Sequence, residues 1–413
     1  MKSKKQDIVL AYSGGLDTSV ILKWLLDKGH NVHAYMANLG QDEDFKAAEK
    51  KAMNIGASSV YIDDLRNEFV EDYIFPAIRA NAKYEGRYLL GTSLARPLTA
   101  KGQIDYAKQI GAKILSHGAT GKGNDQVRFE LAYRTLYPEA EIYAPHKDPE
   151  FLNKFKGGSR DVLIEYAKQK GIPIAQTKKK PWSSDDNLMH ISYEAGMLED
   201  PAIKPLEEMF KMTISPKKAP NKETIIVIDF LTGSPYRLHS PPCKTPIDNP
   251  VKLFTELNKI AGENGIGRID MVESRYVGMK SRGVYETPAG TVLHIAHQDL
   301  ESLTLDREII KRNQHTSIDL AERIYSGYWF SPEREAMQRE IDATQKHVNG
   351  FVMLGLYKGN VTVIGRDSLD SLYDTKIASM HETGNYNPLN ARGFIDINAV
   401  RLQASAKRDK NKK

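Results

Sequence analysis

Two rhythms of apolar positions divide the first 170 residues of the chain. Short apolar runs rich in β-branched residues end in glycine or polar turns, and between them apolar residues recur every three to four positions. Ile8–Leu10 is the first such run; Ser13-Gly14-Gly15 stops it, and Asp17-Thr18-Ser19 opens the helical pattern VILKWLLDKG. NVHAYMANL and ASSVYID read as the next strands, and the amphipathic EDFKAAEKKAMNIG between them ends at glycine. FVEDYIFPAIRANA predicts a helix interrupted near Pro76, and TAKGQIDYAKQIG a further helix. AKILSHG, NDQVRFELAYRTLYP, AEIYAP and RDVLIEYAKQKG continue the alternation. Such a series predicts an α/β fold with a doubly wound parallel sheet, which binds ligands beyond the carboxyl ends of its strands. The glycine-rich loops at 13–15 and 118–123 both fall on that edge.

The rhythm changes after GIPIAQTKKKPW (171–182), a proline-bounded basic stretch that reads as a linker. TIIVIDFLTGSPYRL then predicts a hairpin around Thr232-Gly233, and VKLFTELNKIAGENG a helix with a glycine stop. From about 367 the apolar content thins; DSLDSLYDTKIASM reads as helical and is followed by a polar, basic end. No internal repeat is present.

A chain of 413 residues is too long for one typical domain and points to two with an oligomerisation appendage. The sequence start, MKSKKQD, runs straight into the first strand, and no apolar run approaches the ~18 residues of a membrane span. A cytoplasmic protein is therefore expected. The lone cysteine, Cys243, excludes an intrachain disulfide and a cysteine-based zinc site. The net charge of +5 is concentrated in KSKK (2–5) and AKRDKNKK (406–413). Tails of this kind are solvated, and no aromatic-interleaved basic stripe suggests nucleic acid; neither a nucleic-acid nor a membrane partner is expected.

Strand, glycine turn and helix start at residues 8–19 are the layout in which free N–H groups and the helix dipole hold an anion, although Asp17, Thr18 and Ser19 also serve as caps. No lysine follows the glycines, so this is not a Walker A loop. SGGLDTS resembles instead the pyrophosphate loop of the ATP pyrophosphatase superfamily, which cleaves ATP between the α- and β-phosphates to adenylate an oxygen. SHGATGKGNDQVRFE (116–130) repeats the design, with His117 as a structural strand-end residue or a base and Asn124 and Asp125 as caps or ligand contacts. Arg128, one turn into that helix, offers a bidentate fork to a carboxylate or an ordinary surface ion pair. RYLLGTSLARP (87–97) puts Thr92 and Ser93 at a helix start, where capping explains them equally well. PWSSDDNLMHISYE (181–194) gathers Ser183, Ser184, Asp185, Asp186, His190 and Ser192, with no second histidine at metal-ligand spacing. GIGRIDMVESRYVGMKSRGVYETPAGT (265–291) reads as a glycine-punctuated loop region that brings Glu273, Arg275, Arg282 and Tyr285 within reach of one another.

Taken in this order, AYSGGLDTS, RYLLGTSLARP, SHGATGKGNDQVRFE, PWSSDDNLMHISYEAG and GMKSRGVYETPAGT resemble the signatures of the argininosuccinate synthase family. They span residues 11–291. The resemblance implies an adenine nucleotide alpha hydrolase-like ATP domain (1–170), an α+β synthetase domain (171–366) and a C-terminal helical oligomerisation arm (367–413). It also implies a homotetramer. ATP would adenylate the ureido oxygen of L-citrulline with release of pyrophosphate, and the L-aspartate amine would displace AMP. The implied ATP contacts are Ala11, Tyr12, Ser13, Gly14, Gly15, Leu16, Asp17, Thr18, Ser19, Ala37 and Gly118. Thr120, Asn124 and Asp125 would contact aspartate. Tyr88, Ser93, Asn124, Arg128, Ser183, Ser192, Glu273 and Tyr285 would contact citrulline.

Magnesium is expected to enter with ATP, without protein side chains as its dedicated ligands, and no prosthetic group is expected. No general base is assigned; Asp17 and Asp125 are candidates for it. The rivals are other pyrophosphate-loop adenylating enzymes and a non-catalytic nucleotide-binding module. Thiolases carry paired catalytic cysteines and amidotransferases a glutaminase domain, and this chain has neither signature. A bare nucleotide module leaves the polar segments 181–194 and 265–291 without a purpose.

Overall fold

The structure, a computed structural model, describes residues 5–121, 123–173, 182–240, 245–379 and 386–411. The linker reading at 171–182, Cys243, Lys122 and the extreme ends of both basic tails lie wholly or mostly outside these residues.

Strands β1 (Asp7–Ala11), β2 (Asn31–Asn38), β3 (Ser59–Asp64), β4 (Ile114–Ser116) and β5 (Glu141–Tyr143) form one parallel sheet in the order β3-β2-β1-β4-β5. Both faces are covered, which is why β1 is continuously apolar. Ile8 and Leu10 pack under the Leu16–Asp27, Phe45–Ile55 and Arg160–Gln169 helices, whereas Val9 faces the Gly91–Ile110 and Asp125–Leu136 helices. The strand order reverses between β1 and β4, so a crevice opens beyond Ala11 and Ser116. Both glycine-rich loops lie there.

Pro76 does not break its helix. Helical backbone runs from Arg66 to Arg79, and Phe69–Ile74 widens to π-helical spacing just before the proline. Widening there accommodates a ring that would otherwise crowd the preceding turn.

The rest of the chain builds two antiparallel sheets from β6 (Ser183–Asp186), β7 (Ile191–Glu194), β8 (Thr224–Leu231), β9 (Ser234–His239), β10 (Arg268–Ser274), β11 (Lys280–Glu286), β12 (Gly350–Tyr357) and β13 (Asn360–Asp367). Their orders are β10-β11-β7-β6 and β13-β12-β8-β9. The hairpin at Thr232-Gly233 forms as expected, with φ of +47° and +74° at its two turn residues. Ile226, Ile228 and Phe230 of β8 and Val352, Leu354 and Leu356 of β12 share the largest core with the Pro250–Glu263 and Pro288–Thr304 helices. Phe69, Ile78, Leu94 and Leu98 of the first unit enter the same core, so the two units are packed together.

DSLDSLYDTKIASM is a correction: among its described residues only Thr375–Ala378 is helical. The polar end beyond it holds the Leu389–Lys410 helix, which has no buried residue and exposes Leu389, Phe394, Ile395, Ile397, Val400 and Leu402. Among the described residues, no helix is long and apolar enough to cross a membrane.

Candidate active site

A cleft of about 630 Å³ opens at the sheet's switch point, walled by both glycine loops on one side and by β6, β7, β10 and β11 on the other. At its floor, β1 delivers Ala11, Tyr12 and Ser13 to the Leu16–Asp27 helix. Gly14 turns the chain with φ of +69°, and Gly15 leaves the helix without a capping side chain. The first-turn N–H groups have no intrahelical partner and carry the positive end of the dipole. The turn is held from within by the Ser13 N–H and hydroxyl on Thr18 Oγ1, at 3.3 and 3.1 Å, and by Ser19 Oγ donating to Gly15 O at 2.6 Å. From behind, Lys51 Nζ donates to Gly14 O at 2.7 Å.

The second loop brings Gly118, Thr120, Asn124 and Asp125 to the same cleft. His117 is buried beneath it, stacked on Phe129 and accepting the Ala119 N–H at 3.2 Å. That is a structural position. One turn into the Asp125–Leu136 helix, the nearly buried Arg128 donates to Asp125 Oδ1 at 2.8 Å and to Tyr325 O through Nε at 3.0 Å and Nη2 at 2.8 Å.

Arg96 joins the loops to the second unit. Its Nε donates to Asp125 Oδ2 at 2.8 Å and its Nη2 to Asp185 of β6. Burial alone would raise the Asp125 carboxyl, but the Arg96 and Arg128 charges outweigh it and hold the group at about 2. A carboxylate so stabilised is a weak proton acceptor at neutral pH, which counts against Asp125 as the general base. Asp185 is pushed up instead, because burial exceeds the single arginine's help. His190 lies 2.9 Å from Thr92 Oγ1; burial, then Arg96 and Arg128, drive its imidazole down to about 3, so it is neutral.

At the far wall, Glu273 accepts from Tyr285 OH at 2.7 Å and from Tyr325 OH at 2.8 Å. Tyr285 reaches along its own strand over Gly283, where a Cβ would meet the phenol oxygen at 2.2 Å. Tyr88 packs against Tyr285 with centroids 4.6 Å apart, and burial raises its phenol to about 12. Arg275 pairs with Glu194, and the Tyr276 N–H ties this hairpin to Asn124 Oδ1 at 3.0 Å.

Of the residues named from sequence, Ala11, Tyr12, Ser13, Asp17, Thr18, Ala37, Gly118, Thr120, Asn124, Asp125, Tyr88, Arg128, Ser192, Glu273 and Tyr285 line this one cleft. Gly14, Gly15, Leu16 and Ser19 shape the loop without forming its wall, and Ser93 is fully buried. Ser183 is exposed and off the wall, which Ser184 joins instead. Arg282 is a correction. Strand alternation turns it away from Gly283 and Tyr285, and it binds Asp270 and the Asp200 carbonyl. Reasoning from sequence passed over Arg96, although it stands inside RYLLGTSLARP, and Tyr325, which lies in none of the motifs.

Fold and site together define a nucleotide-type α/β domain whose cleft is closed by an antiparallel unit carrying carboxylate, arginine and phenol side chains. Residues 7–173 match the arginosuccinate synthase N-terminal HUP domain, and residues 182–405 match the C-terminal domain. The argininosuccinate synthase of Thermotoga petrophila is 54% identical over 97% of each chain. Those of Xenopus tropicalis and Rattus norvegicus are each 52% identical, over 100% and 97% of each chain. Among solved structures, NMN synthetase from Francisella tularensis overlaps 41% of this chain and 63% of its own, at 16% identity and a TM-score of 0.26. The chain belongs to the argininosuccinate synthase family.

Proposed function

We propose that the protein ligates L-citrulline to L-aspartate, converting ATP to AMP and pyrophosphate through a citrullyl-adenylate. Family membership supports the overall reaction. The observation that supports the residue-level reading is that the end of β1, the helix start after Gly15, Asp125, Arg128 and Glu273 line or border one cleft.

A ureido oxygen is a poor nucleophile, so alignment and charge stabilisation must supply the rate. The free N–H groups after Gly15 receive the departing pyrophosphate. Ala37, at the end of β2, and Gly118, just past the end of β4, flank the nucleotide from the strands on either side of β1. Arg128 spends three of its five N–H donors on Asp125 and Tyr325, leaving one on each terminal nitrogen for a substrate carboxylate. Glu273, with one phenol on each oxygen, retains lone pairs for the citrulline ammonium, and Tyr88 and Ser192 complete that pocket. Ser183 and the buried Ser93 act at its edge. Thr120, Asn124 and ionised Asp125 take the aspartate zwitterion. Asp17 is the remaining base candidate. Magnesium would enter with ATP and neutralise pyrophosphate charge there, without a dedicated side-chain cage; among the described residues no three or more His, Cys, Asp or Glu side chains are grouped to hold a metal.

We further propose the division into domains at 1–170 and 171–366, a cytoplasmic homotetramer, and an arm from 367 to 413 that crosses between subunits. An assay resolving AMP and the ligated product tests the reaction. Product should form only with ATP, citrulline and aspartate together; AMP release without any need for citrulline would overturn it.

A further inference from the structure

We propose that Tyr325 is the positioning residue of the citrulline pocket, fixing Glu273 with its hydroxyl and Arg128 with its main-chain carbonyl. The inference rests on reading Glu273 and Arg128 as citrulline contacts.

Tyr325 is the last residue of the Arg307–Tyr325 helix, far from every sequence motif. Carbonyls in a helix's final turn lack intrahelical partners and carry the negative end of the dipole, so a cation is the natural partner there. Arg128 fills that role through Nε and Nη2, at 3.0 and 2.8 Å. Its guanidinium also lies 5.1 Å from the Tyr325 ring centre. The phenol of the same residue donates to Glu273 Oε1 at 2.8 Å.

The ring cannot swing away from this contact. It is stacked on Tyr84, with centroids 3.5 Å apart and planes 5° apart, and Tyr84 OH is itself tied to Ser274 O at 2.6 Å. Tyr88 meets the ring edge-on at 6.0 Å. One buried residue therefore sets the spacing between a carboxylate suited to an ammonium and an arginine suited to a carboxylate. That spacing is what distinguishes an α-amino acid from a bare ureide or amine. A phenylalanine would pack the same space, so the hydroxyl is there for Glu273.

Steady-state kinetics of Tyr325→Phe, Glu273→Gln and the double variant test this, with melting curves to establish that each is folded. Tyr325→Phe should raise the citrulline KM about tenfold, the equivalent of one hydrogen bond to a charged group, and leave the ATP and aspartate KM values within about twofold. In the Glu273→Gln background the same change should add less than about twofold, because the residue acts through Glu273. An unchanged citrulline KM in Tyr325→Phe beside a raised one in Glu273→Gln would overturn the proposal. So would fully additive effects, or an equal rise in all three KM values. If Glu273→Gln itself leaves citrulline use untouched, the pocket reading fails, and the positioning role falls with it.

Discussion

His190 sits between the charged ladder of the cleft and its aromatic wall: Thr92 holds one ring nitrogen, and Tyr285 stacks at 5.8 Å. Its imidazole titrates at about 3 when folded, against the ordinary 6.5. Below pH 6.5 the unfolded chain therefore binds a proton that the native site refuses. Stability from this residue is complete above pH 6.5 and is lost as the pH falls towards 3, with a slope approaching about 1.4 kcal/mol per pH unit. Urea midpoints at pH 7.5 and 5.0 should show a smaller acid loss in His190→Gln than in the parent. Equal losses would contradict the assignment. At this scale the sequence was legible where chemistry is local, as in the turn at Ser13–Gly15. Arg96 and Tyr325 were not, because each acts on partners brought close only by tertiary folding: Asp125 and Asp185 for one, Arg128 and Glu273 for the other.

Among the elements, β1, β2 and β4 announced themselves because burial on both faces demands apolar runs, and the edge strands β3 and β5, with no buried residue, through their β-branched and aromatic residues. Strands β6, β7, β10 and β11 did not. Their cleft-facing positions carry Asp185, Ser192, Glu273 and Tyr285, so function replaces the apolar half of the strand alternation and the segments read as polar loops. The stretch 292–367 holds no chemistry-bearing motif, yet its helices supply Tyr325 and much of the largest core. The Leu389–Lys410 helix presents the opposite case, with exposed Phe394, Ile397 and Val400 and nothing buried. Large apolar side chains left uncovered on one helix are the kind of surface that a neighbouring subunit would bury. Truncation after residue 379 should lower the assembly mass in light scattering. It should also leave the far-ultraviolet signature of the remaining fold intact. An unchanged mass would refute the arm's role.

For the molecule as a whole, the alternation of strands and helices predicted the parallel sheet but not its β3-β2-β1-β4-β5 order, which depends on contacts between distant segments. That order places the phosphate loop and the Asn124–Arg128 segment on either side of one crevice, and the antiparallel β10-β11-β7-β6 sheet closes it. On the proposed reading, activation falls to the first unit, and citrulline recognition is shared between Tyr88, Ser93, Asn124 and Arg128 of the first and Ser183, Ser192, Glu273 and Tyr285 of the second. The central claim is that citrulline is adenylated before aspartate takes part. Exchange of labelled pyrophosphate into ATP tests it most directly: ATP with citrulline alone should support exchange, and ATP with aspartate alone should not. Exchange that appears only once aspartate is present, or that never appears, would contradict the account.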